Sequence, residues 1–187
     1  MERTIEQKAM ETEATETGER ILETAVEAIQ DTTSLVNKWK IREDARKELE
    51  FIAEAYHYTC GKWMIFQPQS TVNDIFKRMV ISLDRGGLSR TGSHTVKVST
   101  ANPSPNDSSH VICIYHDNIF DYDVASDVLK TLITEVHVTP SAAKPDFYTM
   151  IGLYARHPSG LSPSIWTPKN FDIDTWNEKM KGESVQG

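Results

Sequence analysis

Three basic residues and one tyrosine are the strongest candidates for a binding site in this sequence. Lys97 lies out of phase with the two valines of an alternating strand, and Tyr148 lies out of phase with the apolar residues of a later one. Lys144 precedes Pro145, which holds its backbone extended, and Arg90 can bind a carboxylate or phosphate through two parallel hydrogen bonds. We therefore predict that these four residues bind an anionic, partly aromatic ligand. The alternative is that the lysines are ordinary exposed surface residues.

Other aromatic residues are further candidates for stacking on a base or another flat ligand. They are Tyr115, Tyr154 and Trp166. Aromatic residues on strands more often pack in a core, so this role stays open beside the structural one.

A histidine and three aspartates form a possible metal-binding pattern, since a divalent cation accepts their oxygen and nitrogen ligands. They are His116, Asp117, Asp121 and Asp123. The pattern falls at a strand-to-helix junction, where Asp is favoured as a helix N-cap, so we predict neither a metal nor a cofactor. The histidines and Asp146 also offer general acids and bases, but none has a partner at a diagnostic spacing. We assign no catalytic residue and favour a protein without catalytic activity.

Charge and composition exclude several classes of protein. The 187 residues carry a formal net charge of −7, and residues 1–30 hold eight acids and three bases. The interval 85–97 contains no acid, which leaves a local basic segment available for phosphate. No apolar run is long enough to span a bilayer. Two cysteines, Cys60 and Cys113, indicate a reducing compartment, and we predict a cytoplasmic protein. Cys113 lies between apolar neighbours, which favours an inert core thiol, whereas Cys60 should be more exposed.

Hydrophobic periodicity predicts alternating helices and strands after an acidic start. We expect a flexible tail over 1–17 and a single α+β domain over 18–187. The predicted elements are a helix from residue 19 to about 29, a helix over 41–57 ending at Gly61, a strand over 62–67, a helix over 72–83 capped by Ser70 or Thr71, a strand over 94–99, a loop over 102–107, a strand over 111–116, a helix from Asp121 or Asp123 to residue 133, a strand over 147–154 and a turn around 174–180. This order favours a mainly antiparallel sheet with helices packed on one face. The helix stripe Val72, Ile75, Phe76, Met79 and Val80 should be buried against it.

The sequence also resembles a known family over about residues 60–167. The motifs that carry the resemblance are GKWMIF (61–66), VNDIF (72–76), KVST (97–100), HVICIY (110–115), DYDVASDVLK (121–130), KPDFYTMIGLY (144–154) and GLSPSIW (160–166). It is similar to the basophilic leukaemia-expressed protein family, a largely uncharacterised group of eukaryotic proteins. The resemblance implies a curved antiparallel sheet similar to that of the cap-binding translation initiation factor 4E. In cap-binding factors two loop tryptophans sandwich a methylated guanine, and neither corresponding segment of this chain contains one (FQPQST, 66–71, and LDRGGLSRTGS, 83–93).

Three functional hypotheses follow from these observations. The first is a non-catalytic binding protein whose open sheet groove receives a nucleotide, an RNA end or a similar anionic ligand. The second is an enzyme that acts on a small molecule by His/Asp/Tyr proton transfer in the same groove. The third is a protein-interaction scaffold that uses the N-terminal helices. We favour the first.

Overall fold

The computed structural model describes residues 4–100, 109–173 and 176. In chain order the elements are α1 (Ile5–Gln30), α2 (Leu35–Ala55), β1 (Gly61–Pro68), α3 (Gln69–Arg85), a 3₁₀ helix (Leu88–Arg90), β2 (Ser93–Val98), β3 (Ser109–His116), α4 (Tyr122–Thr134), β4 (Ala142–Pro145), α5 (Asp146–Met150) and a second 3₁₀ helix (Pro168–Asn170). The chain divides into two compact units, and the single domain over 18–187 stays a prediction. Unit 1 comprises Met1–Thr59 and Pro145–Pro163, and unit 2 comprises Cys60–Lys144 and Ser164–Gly187.

Unit 1 is a helical hairpin of α1 and α2 to which α5 is added. Ser34 caps α2 by accepting the backbone N–H of Asn37 at 3.3 Å, and small or apolar residues line the buried faces of the two long helices. These residues are Ala14, Leu22, Ala25 and Ile29 from α1 and Ala45, Leu49 and Ala53 from α2. Helix α2 begins before the predicted residue 41 and ends before the predicted residue 57. It ends there because His57 takes the left-handed conformation at φ 60°. Gly61, the predicted stop, belongs to β1.

Helix α1 begins at Ile5, so the prediction of a flexible tail over 1–17 is wrong for residues 5–17. Two features missed in the sequence account for the early start. Thr4 and Gln7 form a reciprocal capping box at the helix N-terminus. Ala14 and Gly18 are both buried, which gives this acidic segment a narrow packing face that holds it in the helix.

Unit 2 contains a four-stranded sheet in the order β2-β3-β1-β4. The β1/β3 and β2/β3 pairs are antiparallel, and the α+β class is confirmed. Trp63 and Ile65 of β1 and Ile112 and Ile114 of β3 are fully buried on one side of the sheet. Helices α3 and α4 contribute the apolar faces of the same unit, with Val72, Ile75 and Met79 buried in α3 and Ala125, Val128, Leu129 and Leu132 buried in α4. Val80 was expected in the buried stripe but is 43% exposed.

The last strand of the sheet is β4 (Ala142–Pro145), and the predicted strand over 147–154 is wrong. Residues 146–150 form α5, which begins after Pro145. Phe147 and Tyr148 are adjacent and both buried, whereas neighbouring residues of a strand point to opposite faces. Gly152 then turns the chain with φ 71°. A five-residue helix is too short to display a 3.6-residue period, so in sequence the aromatic run resembles a strand.

Two predicted features fall outside the described residues. These are the loop over 102–107 and all but residue 176 of the turn around 174–180. Across the ranges that the structure describes, no helix is both long enough and apolar enough to cross a bilayer.

Candidate ligand-binding surface

The strands of unit 2 present a second set of side chains on the side opposite the buried core. The register pairs Lys62 with Tyr115, and it pairs Tyr115 with Thr95 of β2. It likewise places Cys113 opposite both Met64 and Lys97. We call this set the solvent side of the sheet, because each member is half-buried or exposed: Lys62, Met64, Phe66, Thr95, Lys97, Val111, Cys113 and Tyr115.

Two lysine ammonium groups on the solvent side of the sheet lie over one aromatic ring. The Nζ atom of Lys97 lies 4.6 Å from the Tyr115 ring centroid, and the Nζ atom of Lys62 lies 5.3 Å from it. Each cation–π contact stabilises the arrangement by about 0.5–1 kcal/mol when solvent has access. The contacts hold two positive charges beside a flat ring.

The solvent side of the sheet is basic although the protein is acidic overall. Its eight side chains include two lysines and no aspartate or glutamate, whereas the whole chain carries −7. A local cluster of one sign attracts an anion of the other sign, and a lysine-lined strand face suits phosphate in particular. Phe66, which is 53% exposed, adds a second aromatic ring.

The four residues predicted to bind a ligand occupy four different environments. Lys97 is exposed on the solvent side of the sheet, as its alternation with the valines predicted. Arg90 ends a 3₁₀ helix and lines a cavity of about 360 Å³. Lys144 lies in β4 with only 7% of its surface exposed. Tyr148 belongs to α5 in unit 1, so the assignment of its ring to a strand face is wrong.

The Tyr148 side chain is almost fully enclosed, with 1% of its surface exposed. Burial raises the pKa of its phenol, against an opposing effect of the Arg46 guanidinium. A phenol in this environment stays neutral at physiological pH. Its main role in unit 1 is packing beside Phe147, whose ring stacks on Tyr58 at a centroid distance of 6.5 Å.

A cysteine, a histidine and an aspartate meet where β1 and β2 begin and β3 ends. The Sγ atom of Cys60 lies 3.9 Å from Nε2 of His94, and that nitrogen lies 3.6 Å from Oδ1 of Asp117. The other ring nitrogen, Nδ1, shares a 2.9 Å hydrogen bond with the Thr95 hydroxyl. A register shift between Ser93 and Thr95 reorients His94 at this point.

His116, the last residue of β3, is fully buried beside this group. Both of its ring nitrogens are buried, and neither has a hydrogen-bond partner of good geometry among the described residues. Burial, with a smaller contribution from the nearby His94, lowers the pKa of His116 to about 4. The backbone of Asn118 and the Asp117 carboxylate oppose this shift. The imidazole is therefore neutral at physiological pH.

The aspartates of the metal-like pattern have other uses. The Asp121 side chain accepts the backbone N–H groups of Asp123 and Val124 at 2.9 and 3.1 Å, which makes it the N-cap of α4 as predicted. Within the ranges 4–100, 109–173 and 176, no group of three or more His, Cys, Asp or Glu side chains is arranged to hold a metal ion.

Sequence reasoning missed Lys62 and the Cys60–His94–Asp117 group as functional candidates. The position of Lys62 could have been predicted, because it is the neighbour of Trp63 in the predicted strand 62–67 and therefore points to the opposite face of the sheet. No sequence signal pairs Cys60 with His94, because they are 34 residues apart and only the sheet register brings them together.

These features define an α+β protein whose sheet carries helices on one side and a lysine-flanked tyrosine on the other. The model of the family described as basophilic leukemia-expressed protein Bles03 matches residues 2–152. The chain belongs to this family, which confirms the resemblance seen in the sequence. The matched range includes the N-terminal helices, which our motifs did not cover, and it stops short of GLSPSIW at 160–166.

Proposed function

We propose that the solvent side of the sheet binds an anionic ligand with a flat ring, such as a nucleotide or an RNA end, and that it carries out no chemistry on it. The observation that carries the proposal is the pair of lysine ammonium groups over the Tyr115 ring. Phosphate oxygens would accept hydrogen bonds from the two ammonium groups, and a base would stack on an exposed aromatic ring of the same surface, such as that of Phe66.

Electrostatics and preorganisation both support this assignment. Each charge-assisted hydrogen bond contributes about 1.5–3 kcal/mol, and stacking of one base on an aromatic side chain contributes about 1–3 kcal/mol. Lysine normally loses side-chain freedom when it binds an anion. The contacts of Lys62 and Lys97 with one ring restrict both side chains beforehand, which lowers this cost.

The proposal includes a distant likeness to initiation factor 4E. A sheet with helices on one side and a ligand on the other is the arrangement that the family resemblance implies. We also propose a cytoplasmic protein, because the two cysteines, Cys60 and Cys113, favour a reducing compartment. The two cap-stacking tryptophans have no counterpart in the segments 66–71 and 83–93. We therefore expect the ligand site to be indifferent to methylation of a guanine base.

Fluorescence anisotropy with a short labelled RNA bearing a 5′-triphosphate tests the proposal directly. We expect the Lys62→Ala/Lys97→Ala double variant to weaken binding by about 100-fold or more, and to reduce the slope of log affinity against log salt by about 2. Lys130→Ala removes an exposed lysine from α4 and serves as the matched control. Equal binding by the double variant and the wild type would refute the site.

Competition with GTP and with its methylated cap analogue completes the test. Without a tryptophan sandwich, the methylated base lacks the enhanced stacking that distinguishes it, so the two competitors should displace the RNA at similar concentrations. Strong preference for the methylated form would contradict the proposed recognition of phosphate and an ordinary base.

A protein partner for the N-terminal helices is a second candidate function. The observation that favours it is a group of exposed apolar residues at the start of α2: Leu35 (81% exposed), Val36 (75%) and Trp39 (66%). Large apolar side chains gathered in this way are typical of interaction sites. Self-association measured by sedimentation should fall in a Leu35→Ser/Trp39→Ser variant if a second copy is the partner.

A further inference from the structure

We infer that Cys60 is a reactive thiol that undergoes exchange with a small disulfide carrying carboxylate groups. The inference is independent of the proposed function, because it concerns the edge of the sheet where Cys60, His94 and Asp117 meet. The thiolate is the reactive form of cysteine, and a neighbouring imidazole that accepts the thiol proton increases its population.

The geometry supplies both the proton acceptor and the group that stabilises it. Nε2 of His94 faces the Cys60 sulfur at 3.9 Å and the Asp117 carboxylate at 3.6 Å. When Nδ1 donates its proton to the Thr95 hydroxyl at 2.9 Å, Nε2 carries the free electron pair. Transfer of the thiol proton then produces a thiolate beside an imidazolium, and the Asp117 carboxylate favours the positive ring.

Solvent access is consistent with a modification site. Cys60 is half-buried and the His94 side chain is 43% exposed, so a small molecule can approach the sulfur. The second imidazole nearby, that of His116, stays neutral because it is buried. His94, whose Nε2 atom contacts the sulfur at 3.9 Å, is the proposed proton acceptor. Distances of this length are common in unliganded sites and shorten when the reactant binds.

An adjoining cavity indicates which disulfides would react. Its volume is about 360 Å³, and its charged wall residues are one cation, Arg90, and two carboxylates, Asp127 and the Asp117 that contacts His94. The Arg90 guanidinium can bind a carboxylate of the incoming disulfide. Two further cavity residues, Asn118 and Thr91, supply hydrogen-bonding groups. Glutathione disulfide has both the scissile bond and the carboxylates that this arrangement requires.

The exchange step is balanced without any additional reactant. The Cys60 thiolate attacks one sulfur of glutathione disulfide, a new S–S bond forms, and the original S–S bond breaks. The leaving glutathione thiolate takes the proton that His94 received from Cys60. The products are a mixed disulfide at Cys60 and one molecule of glutathione.

Kinetics in a Cys113→Ser background, in which Cys60 is the single thiol, test the inference with two probes. With iodoacetamide at about neutral pH, His94→Gln should slow alkylation roughly tenfold or more. Between about pH 6 and pH 8 the wild-type rate should depend less steeply on pH than the His94→Gln rate, which should rise about tenfold per pH unit. His110→Gln, the same substitution elsewhere in the sheet, should have no effect.

Glutathione disulfide separates the role of the cavity from that of the histidine. Arg90→Gln should slow mixed-disulfide formation several-fold while leaving the iodoacetamide rate unchanged, because iodoacetamide carries no carboxylate. Equal effects of Arg90→Gln on both probes, or none on either, would overturn the assignment of the cavity. If His94→Gln misfolds by circular dichroism, Thr95→Val tests the same ring orientation. Unchanged alkylation in whichever of these variants folds would overturn the inference.

Discussion

Lowering the pH from neutrality to about 4.5 should destabilise unit 2, because the buried imidazole of His116 resists protonation in the folded chain. The pKa of His116 falls from 6.5 to about 4 on folding, chiefly through burial. Between these values the unfolded chain binds more protons than the folded chain, so the free energy of unfolding falls as the pH falls. Below about pH 4 both states are protonated and the loss is complete.

The size of the effect follows from the two pKa values. The difference between the unfolded and folded pKa values corresponds to about 3 kcal/mol of unfolding free energy, of which about 2.5 kcal/mol is lost by pH 4.5. The groups that face the ring are included in the balance: His94 lowers the pKa, whereas Asp117 and the Asn118 backbone raise it. A contribution of this size is a large fraction of the stability of an ordinary domain.

Urea denaturation of His116→Leu and the wild type, at neutral pH and at about pH 4.5, isolates this contribution. Leucine has a similar volume, cannot be protonated and removes two buried nitrogens without partners of good geometry. On acidification the wild type should lose about 2.5 kcal/mol more of its free energy of unfolding than the variant loses, because the carboxylates contribute equally to both proteins. His110→Leu, at the other end of β3, is the control, and its loss of unfolding free energy on acidification should be close to that of the wild type. Parallel pH dependence in His116→Leu and the wild type would refute the reasoning.

Two further predictions concern close contacts within each unit. In unit 2, Glu135→Gln removes the carboxylate that accepts the Gly87 N–H at 2.7 Å and the Ser82 hydroxyl at 2.5 Å. Since Glu135 is exposed, we expect thermal denaturation to show a loss of only about 1 kcal/mol at neutral pH. Hydrogen bonds lower the pKa of Glu135, so this loss should vanish as the pH falls through that pKa; a loss independent of pH would contradict the role of the carboxylate. In unit 1, a Cβ atom on Gly18 would lie 2.6 Å from Cγ2 of Ile151. Gly18→Val should therefore lower the free energy of unfolding by about 1–3 kcal/mol in chemical denaturation. An equal loss in Glu16→Val, on the exposed side of α1, would disprove the close packing.

The sequence by itself determined the elements whose pattern repeats over enough residues to be distinctive. Alternation identified β2, and short apolar runs bounded by turn residues identified β1 and β3. The 3.6-residue stripe identified α3, because a long helix imposes its period on the apolar residues that it buries. The same alternation placed Lys97 opposite the core side of its strand. The ordered set of motifs from GKWMIF onward was sufficient to recognise the family.

Only the tertiary structure decided which side chains meet. Lys62 joins Lys97 over Tyr115, and Cys60 joins His94, because residues far apart in the chain are brought together by the register of the sheet, which a single strand does not encode. The short helix α5 and the early start of α1 were decided in the same way. Phe147 and Gly18 have their conformations selected by the packing between α1 and α5, and local preference over a few residues is too weak to oppose that packing.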